Sequence, residues 1–330
     1  MTKSPSIGPV RLGPGAEFDL IRRLISPSDV LPVGVRLGSG DDAAVIEGGW
    51  VLSTDLSLED VHFRRAWLED KEIGFRAVSC ALSDVAAMGA VPVGVFVSMA
   101  VNDEEVVKAL QSGCREAASE AGAVILGGDL SSTSGPIFID VVGLGSTHRP
   151  VLRNGAVPGD DIWVTGRLGA SSTAVRVWQR GEEPPPEARR AFARPSPRFD
   201  EARYLAEEDM ADALIDLSDG LAGDSAHLGA ASGVRIVLEA AAVPVAPIAV
   251  QVLGPEEALN AALYGGEDYE LCFTAGPDVV DPSYFRQHFG IEVTRVGQVC
   301  EGNGVWIDRG GSEPEPLLRS GFDHYAIDVL

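Results

Sequence analysis

The stretch that decides the fold is GSGDDAAVIEGGWVLSTDLSLEDVHF, residues 38–63. Residues 50–54 are β-branched and apolar, which predicts a half-buried strand, and residues 43–46 form a second apolar run before the turn at Gly48 and Gly49. The acidic residues of the stretch are Asp41, Asp42, Asp55, Glu59 and Asp60. Carboxylates at strand ends beside glycines favour hard cations. Acids that only end strands and face solvent would give the same pattern, so this stretch alone leaves both interpretations open.

The composition is that of an acidic globular protein. The chain has 330 residues, of which 45% are hydrophobic, and a formal net charge of −23. This length is sufficient for two domains with separate cores. The charge argues against nucleic acid as a partner, because such binding needs clustered Lys and Arg, and it disfavours anionic membranes. An acidic protein can still bind phosphorylated ligands if metal ions lie between the carboxylates of the protein and the phosphates of the ligand.

The cysteine spacing and the apolar segments argue against zinc-binding, disulfide-linked, secreted and membrane proteins. The cysteines are Cys80, Cys114, Cys272 and Cys300. They form no CxxC pair, so neither a zinc site nor a disulfide framework is predicted. Residues 1–15 lack an apolar signal-peptide core, and we expect a flexible N-terminal extension on a cytoplasmic protein. Residues 77–101 are mostly apolar and carry Asp84 as their only charge, but Gly89 and Pro92 divide them into a helix and a strand rather than a membrane span.

Helices and strands alternate in both halves of the chain, which predicts an α+β protein. The predicted helices of the first half cover residues 17–25, 71–88 and 103–121, and a strand is predicted at 93–101. Asn102 is a plausible cap of the third helix. A glycine-rich loop begins near Arg149, and we place the domain boundary there, between an N-terminal domain at 16–148 and a C-terminal domain at 149–330. The EEPPP segment at residues 182–186 predicts a solvated loop.

Aspartates recur at the junctions of elements, whereas nucleotide-binding loops do not occur. The chain has no GxxxxGK[ST], and the GxG patterns at residues 38–40 and 143–145 are not followed by a predicted helix. Asp84 lies in an otherwise apolar helix, where an unpaired carboxylate would cost roughly several kcal/mol. Asp129 follows a strand, and the tripeptide ending at Asp219 repeats the one ending at Asp84. Each aspartate alone is explained as a cap or turn residue. Together with Asp42 and Asp55 they favour a shared Mg²⁺ site.

Eight motifs follow one another along residues 17–326: GDDAAV, STDLSLEDVHF, ALSDVAAMGAVP, GGD, RNGAVPGDDIWVTG, IDLSDGLAGD, GGEDYELCF and GFDHYA. In this order they closely resemble the thiamine-monophosphate kinase family. The resemblance implies a two-domain fold like that of aminoimidazole ribonucleotide synthetase, with ATP and Mg²⁺ bound by the N-terminal domain. It also implies a homodimer formed through N-terminal strands, for which residues 93–101 are a candidate.

The resemblance further implies roles for individual residues. The implied ligands of several Mg²⁺ ions are Asp42, Ser53, Thr54, Asp55, Asp84, Asp129, Asp216 and Asp219. The implied ATP contacts are Gly128, Asp129, Arg153 and Ser218, and an arginine suits phosphate. The implied thiamine-side residues are His62, Glu267 and Phe322, and an acid and an aromatic ring suit a cationic thiazolium. Gln111 occupies a position at which family members often carry a tyrosine near the adenine.

The activity implied by the resemblance is direct, in-line transfer of the γ-phosphoryl group of ATP onto thiamine monophosphate, giving thiamine diphosphate, with several Mg²⁺ ions assisting. No acid–base residue is expected, because the attacking phosphate oxygen is already deprotonated at neutral pH. One alternative is another ATP-dependent enzyme of the same superfamily, such as the purine cyclo-ligase or selenophosphate synthetase. A second is a non-catalytic acidic metal-binding protein, although the DxDxDG loops typical of that class do not occur.

Overall fold

The computed structural model describes residues 10–24, 31–311, 313–318 and 321–325. Its helices are α1 (Ala16–Leu24), α2 (Asp70–Ala87), α3 (Glu104–Glu120), α4 (Ala170–Gln179), α5 (Pro186–Ala193), α6 (Phe199–Glu207), α7 (Leu221–Ser232), α8 (Pro247–Leu253), α9 (Pro255–Tyr264) and α10 (Pro282–His288). Its strands are β1 (Val35–Leu37), β2 (Ala44–Ile46), β3 (Trp50–Leu58), β4 (Val91–Ala100), β5 (Val124–Gly127), β6 (Leu130–Ser131), β7 (Phe138–Ser146), β8 (Asp161–Thr165), β9 (Ala213–Asp216), β10 (Arg235–Glu239), β11 (Leu271–Ala275), β12 (Val293–Cys300), β13 (Gly304–Asp308) and β14 (Glu315–Pro316).

The first sheet is built from β1 to β7. Its strand order is β1-β2-β3-β7-β4-β5, and β6 also pairs with β4. The long antiparallel pairing of β3 with β7 runs from Trp50 opposite Ser146 to Leu58 opposite Phe138. Side chains alternate between the two faces of the sheet, as the strand geometry requires. One face is buried against helices, and the other leaves large apolar side chains exposed.

The second sheet is built from β8 to β14, in the order β14-β13-β10-β12-β8-β11-β9. The pairing of β10 with β13 is parallel, and the other pairings in this sheet are antiparallel. Strand β9 lies at the edge of the sheet and is buried along its whole length, ending at Asp216. The two sheets confirm the predicted α+β class.

Helix α2 lies between the two halves of the chain. It packs against β3 and β7 of the first sheet, against α3, and against β9 and α6 of the second half. Fourteen of its 18 residues are buried, so it presents almost no solvent-facing side. A Cβ atom at Gly74 would lie 2.0 Å from the carbonyl oxygen of Leu110 on α3, so only glycine permits this approach of the two helices. Polar side chains on α2 must therefore find partners inside the protein.

Some sequence predictions of local structure were wrong. The N-cap of α3 is Asp103 and not Asn102, since the Asp103 carboxylate accepts hydrogen bonds from the backbone N–H groups of Glu105 and Val106. The solvated loop predicted at 182–186 ends at Pro186, where α5 begins. Helices α5, α8, α9 and α10 were not predicted. Each begins at a proline, a position where proline is favoured, and for α5 the EEPPP segment had been interpreted as a loop.

The domain division at residue 148 remains a prediction, although it falls between the two sheets. Of the predicted flexible extension, residues 1–9 lie outside the described residues, whereas Val10 is buried. Cys80, Cys114 and Cys272 are buried, and Cys300 is partly exposed. No helix among the described residues combines the length and the apolar character needed to cross a bilayer.

Candidate metal centre and substrate site

Three of the predicted aspartates meet where the two halves of the chain join. Asp42 lies in the turn between β1 and β2, Asp84 lies on α2, and Asp216 ends β9. One carboxylate oxygen of each residue lies within 4.8 Å of the other two. We call these three residues the carboxylate cluster. Their sequence positions are far apart, so the convergence is a product of the fold.

Serine hydroxyls on neighbouring elements hold the carboxylate cluster. Ser83 on α2 donates a hydrogen bond of 2.6 Å to Asp216. Ser53, on the buried face of β3, donates a short hydrogen bond to Asp84. Hydroxyl donors stabilise the charged form of a carboxylate without adding a positive charge. They therefore orient the carboxylates and leave their oxygens available to a cation.

Burial and mutual repulsion disfavour the charged form of these acids. Burial raises the pKa of Asp84 well above its usual value, and the negative charges of Asp216 and Asp42 raise it further. Burial, followed by the charge of Asp42, raises the pKa of Asp216 to about 7. The pKa of Asp55 on β3 is raised to about 6 by burial and then by Glu267. Such a group of buried acids favours either protons or a bound cation.

Arg153 neutralises one member of the carboxylate cluster. Its Nη2 and Nε atoms donate to the two carboxylate oxygens of Asp42 at 2.7 Å and 3.1 Å. Its backbone N–H donates to Asp41, a residue that we did not predict for the site. Burial raises the pKa of the Asp41 carboxyl to about 7, with the charge of Asp42 as the second cause. A predicted phosphate contact and a predicted metal ligand are thus in direct contact.

A second acidic group lies at the start of α7. The backbone N–H of Asp219 donates a 3.1 Å hydrogen bond to the carboxylate of Asp224, which is buried. Burial raises the pKa of Asp219 to about 7 and that of Asp224 well above its usual value. Asp224 was not predicted as a site residue, although it closes the IDLSDGLAGD motif. Its signal was a carboxylate one helical turn into a segment whose other residues are small or apolar.

Two other predicted metal ligands, Asp129 and Thr54, do not reach the carboxylate cluster. Asp129 is exposed, and its carboxylate accepts the backbone N–H of Leu130 at 2.9 Å. It immediately precedes β6, three strands from β3, and no described contact links it to the carboxylate cluster. The Thr54 side chain faces away from Ser53 and donates to Asp140 at 3.0 Å on the open face. The metal roles of Asp129 and Thr54 therefore remain predictions.

The predicted thiamine-side residue Glu267 is held by a buried arginine. Arg76 on α2 pairs with Glu267 and donates a 2.7 Å hydrogen bond to the carbonyl of Phe192, over whose ring it lies at 4.0 Å. Glu267 and Tyr269 have φ angles of 67° and 51°, a region that non-glycine residues rarely adopt. The backbone N–H groups of both residues donate to the segment that contains Ser218. The loop conformation is thus fixed from two sides.

The other two thiamine-side predictions, His62 and Phe322, come together through His324. The ring of His324 lies 4.8 Å from that of Phe322 and 4.9 Å from that of His62. Neither Arg76 nor His324 was predicted. Arg76 could have been found as the cation within the apolar part of α2, since Lys71 lies in the first turn of that helix, and His324 as the histidine of the GFDHYA motif.

The donor atoms of this site suit a hard divalent cation. The described residues around it offer carboxylate and hydroxyl oxygens, the ligands preferred by Mg²⁺, and no thiolate. The cluster carries three carboxylates against one guanidinium, so a cation would relieve the remaining repulsion. The residues present therefore fit the predicted magnesium.

Comparisons with known proteins identify the family of the chain. The profile of the AIR synthase related protein N-terminal domain matches residues 40–147. Thiamine-monophosphate kinase from Rhodopirellula baltica is 34% identical over 316 residues, covering 89% of this chain and 93% of its own length. The Escherichia coli K12 protein of that name is 32% identical, covering 94% and 98%. The structure described as AaThiL complexed with AMPPCP and TMP has a TM-score of 0.80 and 29% identity, covering 94% and 97%.

The similarity thus extends over both sheets and nearly the whole chain, and the predicted aminoimidazole ribonucleotide synthetase-like fold is confirmed. We conclude that this chain belongs to the thiamine-monophosphate kinase family.

Proposed function

We propose that this protein transfers the γ-phosphoryl group of ATP directly onto the phosphate of thiamine monophosphate, producing thiamine diphosphate and ADP. The observation that carries the proposal is the convergence of Asp42, Asp84 and Asp216 within 4.8 Å of one another. The similarity to AaThiL, described as complexed with AMPPCP and TMP, supports the two substrates. We place the reaction in the cytoplasm, where ATP is available.

Charge repulsion is the main obstacle to this reaction. Two unit charges about 4 Å apart repel by ~4 kcal/mol at an effective dielectric near 20, and each reactant carries more than one. We propose that the carboxylate cluster holds Mg²⁺, with Asp55 and Asp219 beside it and Ser53, Thr54 and Asp129 as further ligands. Bound Mg²⁺ neutralises phosphate charge and aligns the two phosphates for in-line transfer.

The remaining site residues bind and orient the reactants. Arg153 presents a planar guanidinium beside the carboxylate cluster, suited to bidentate contact with phosphate. Gly128 and Ser218 are proposed ATP contacts. His62, Glu267 and Phe322 flank the thiamine moiety, where an acid and an aromatic face stabilise a cationic ring. No residue needs to remove a proton, because the attacking phosphate oxygen is already ionised.

We also propose that the protein forms a homodimer through the open face of the first sheet. Large apolar residues are exposed on this face, and those from β3, β4, β5 and β7 are Trp50, Leu56, Val91, Phe96, Val124, Leu126 and Phe138. Exposed apolar patches on several neighbouring strands are typical of protein interfaces. The predicted interface segment 93–101 has Val95, Val97 and Met99 in the core and only Phe96 strongly exposed. In a dimer, every second residue of this segment, beginning with Phe96, would therefore face the partner.

A coupled assay with alternative acceptors tests the proposed reaction. ADP release and thiamine diphosphate formation are measured with Mg²⁺ and with thiamine monophosphate, thiamine or a purine ribonucleotide precursor as acceptor. The proposal predicts equal amounts of ADP and thiamine diphosphate, and only with thiamine monophosphate. ATP consumption that needs the ribonucleotide would favour the other enzymes of the superfamily. Magnesium binding without ATP consumption would favour a non-catalytic metal-binding protein.

A further inference from the structure

The C-terminal segment 321–325 contacts Asp219 on one side and His62 on the other. The backbone N–H of Phe322 donates a 3.0 Å hydrogen bond to the carbonyl of Asp219. A Cβ atom at Gly321 would lie 2.1 Å from that carbonyl oxygen, so glycine permits the close approach. The Asp323 carboxylate accepts the backbone N–H groups of Ala16 and Glu17 at the start of α1. These contacts fix the segment beside Asp219.

One contact joins this segment to the end of β3. The Nε2 atoms of His62 and His324 lie 3.3 Å apart, with an angle of 59° between the ring planes. The ring of Phe322 meets that of His324 edge-on, at 88° and 4.8 Å. His324 thus lies between two residues that we assign to substrate binding.

The hydrogen bonds define which nitrogen of each imidazole carries the proton. The backbone N–H of Leu58 donates to Nδ1 of His62 at 3.0 Å, so this nitrogen is unprotonated. The proton of a neutral His62 is therefore on Nε2, which faces His324. Nε2 of His324 must then be the acceptor, and its proton is on Nδ1. The contact requires Nε2 of His324 to be unprotonated, because two N–H groups cannot share a 3.3 Å contact. The hydrogen bond from Leu58 requires the same of Nδ1 of His62.

The surroundings of His62 favour this neutral state. Burial lowers the pKa of His62, and the neighbouring His324 lowers it further. Of the charged groups that act on His62, Glu267 opposes this shift and Arg76 adds to it. Asp323 precedes His324 in the chain, and its carboxylate is directed to the N-terminus of α1.

We propose that His324 is a positioning residue for thiamine monophosphate: it accepts the Nε2–H of His62 and thereby holds the Phe322 ring and the His62 imidazole at a fixed separation around the substrate ring. This inference rests on the proposed function. His324 acts through its two neighbours, so its loss affects recognition of the thiamine moiety and leaves the ATP side unchanged. Protonation of His324 on Nε2 removes the acceptor and separates the two rings, whereas protonation of His62 on Nδ1 breaks its hydrogen bond with Leu58.

Kinetics of His324→Ala and His324→Gln test the proposal, with His148→Ala as the control, an exposed histidine in the loop after β7. His324→Ala should raise KM for thiamine monophosphate about 5- to 10-fold, the effect of one lost hydrogen bond, with KM for ATP and kcat within about twofold. Glutamine keeps an acceptor oxygen, so His324→Gln should retain most of the affinity. An unchanged KM for thiamine monophosphate in His324→Ala, or an equal rise in both KM values, would overturn the proposal.

The pH dependence of KM for thiamine monophosphate distinguishes a hydrogen-bonding role of His324 from a role in packing alone. As pH falls from about 6.5 to about 5, KM for thiamine monophosphate should rise more in the wild type than in His324→Gln, because the pKa of His62 is lowered and glutamine at position 324 takes up no proton. The substrate phosphate titrates in the same range but equally in both proteins, so the ratio of the two KM values isolates the histidine pair. A ratio that does not vary with pH would contradict a hydrogen bond between neutral imidazoles.

A substrate-free measurement separates this inference from the proposed function. In the full chain labelled with ¹⁵N-histidine, His62 should show an unprotonated Nδ1 and His324 an unprotonated Nε2 near pH 8. The opposite tautomers would overturn the inference whatever the enzyme phosphorylates. A wild-type protein that shows these tautomers but does not phosphorylate thiamine monophosphate would contradict the proposed function instead.

Discussion

The hydroxyl of Ser83 donates a 2.6 Å hydrogen bond to the carboxylate of Asp216, although the two residues are 133 positions apart in the chain. Ser83 lies on α2, which packs against the first sheet, and Asp216 ends an edge strand of the second. Both residues are buried. The two halves of the chain therefore meet at the metal centre itself, and the position of each carboxylate depends on the docking of α2 against β9.

Replacing different members of the carboxylate cluster should affect stability in opposite directions. Asp84 is repelled by Asp216 and Asp42, so Asp84→Asn should stabilise the metal-free protein and raise its Tm by roughly 2–4 °C, equivalent to about 1 kcal/mol. Asp42→Asn instead leaves the buried Arg153 without its bidentate partner, which should cost roughly 3 kcal/mol. Both variants should lose at least about 100-fold in kcat. Thermal unfolding in EDTA and steady-state kinetics measure the two effects; lower stability of Asp84→Asn would contradict the account of repulsion.

The stability of the metal-free protein should fall as pH rises. The pKa is raised to about 6 for Asp55 and to about 7 for Asp216 and Asp219, above the usual 3.8. Between about pH 4 and pH 7 the folded protein therefore binds more protons than the unfolded chain, and stability decreases with pH through this window. Mg²⁺ should raise Tm more at about pH 8 than at about pH 5.5, since fewer protons compete for the carboxylates. A Tm in EDTA that rises across this window would contradict the prediction.

Arg76 and Glu267 should behave as a coupled pair. Glu267→Gln leaves Arg76, with a side chain only 4% exposed, without a charged partner, which should destabilise the fold by roughly 3 kcal/mol and raise KM for thiamine monophosphate. Arg76→Met combined with Glu267→Gln should recover most of the stability, because no buried charge remains unpaired. It should not recover the KM. Urea unfolding and kinetics of the two single variants and the double variant test this; additive stability changes would show that the pair is not coupled.

The open face of the first sheet can be tested with one matched pair of variants. Phe96→Asp places a charge in the centre of the proposed interface and should convert a dimer to a monomer. Val250→Asp on α8 is the control, because Val250 is 40% exposed and Phe96 is 43% exposed, but Val250 lies outside this face. Light scattering after size exclusion gives the molar mass of each. A wild-type monomer, or a Phe96→Asp dimer, would contradict the proposed homodimer.

The sequence predicted the fold class, the α2 helix and the chemistry of the acidic residues. Asp84 could be chosen because a carboxylate inside an apolar segment needs a partner, which is a local property, whereas Asp216 was implied only by the resemblance to the family. The helices that begin at prolines were missed because the same residue ends one element and starts another. Only an established helical periodicity distinguishes the two cases.

Contacts between residues that are far apart in the sequence could not be predicted from the sequence. The pairing of Arg153 with Asp42, of Arg76 with Glu267 and of His324 with His62 joins residues more than 100 positions apart. Charge and motif identified one or both members of each pair, but no periodicity encodes which acid a given arginine meets. These pairings arise from the docking of the two halves, a tertiary effect that local propensity does not contain.

The most direct test of the central claim is the position of the metal in a ternary complex. Crystals grown with Mn²⁺, a non-hydrolysable ATP analogue and thiamine monophosphate would locate the metal by anomalous scattering. The account predicts Mn²⁺ at a ligand distance of about 2.1 Å from oxygens of Asp42, Asp84 and Asp216, in contact with phosphates of both substrates. Nucleotide and Mn²⁺ bound elsewhere, with Arg153 and Asp42 still paired and no metal at the carboxylate cluster, would contradict it.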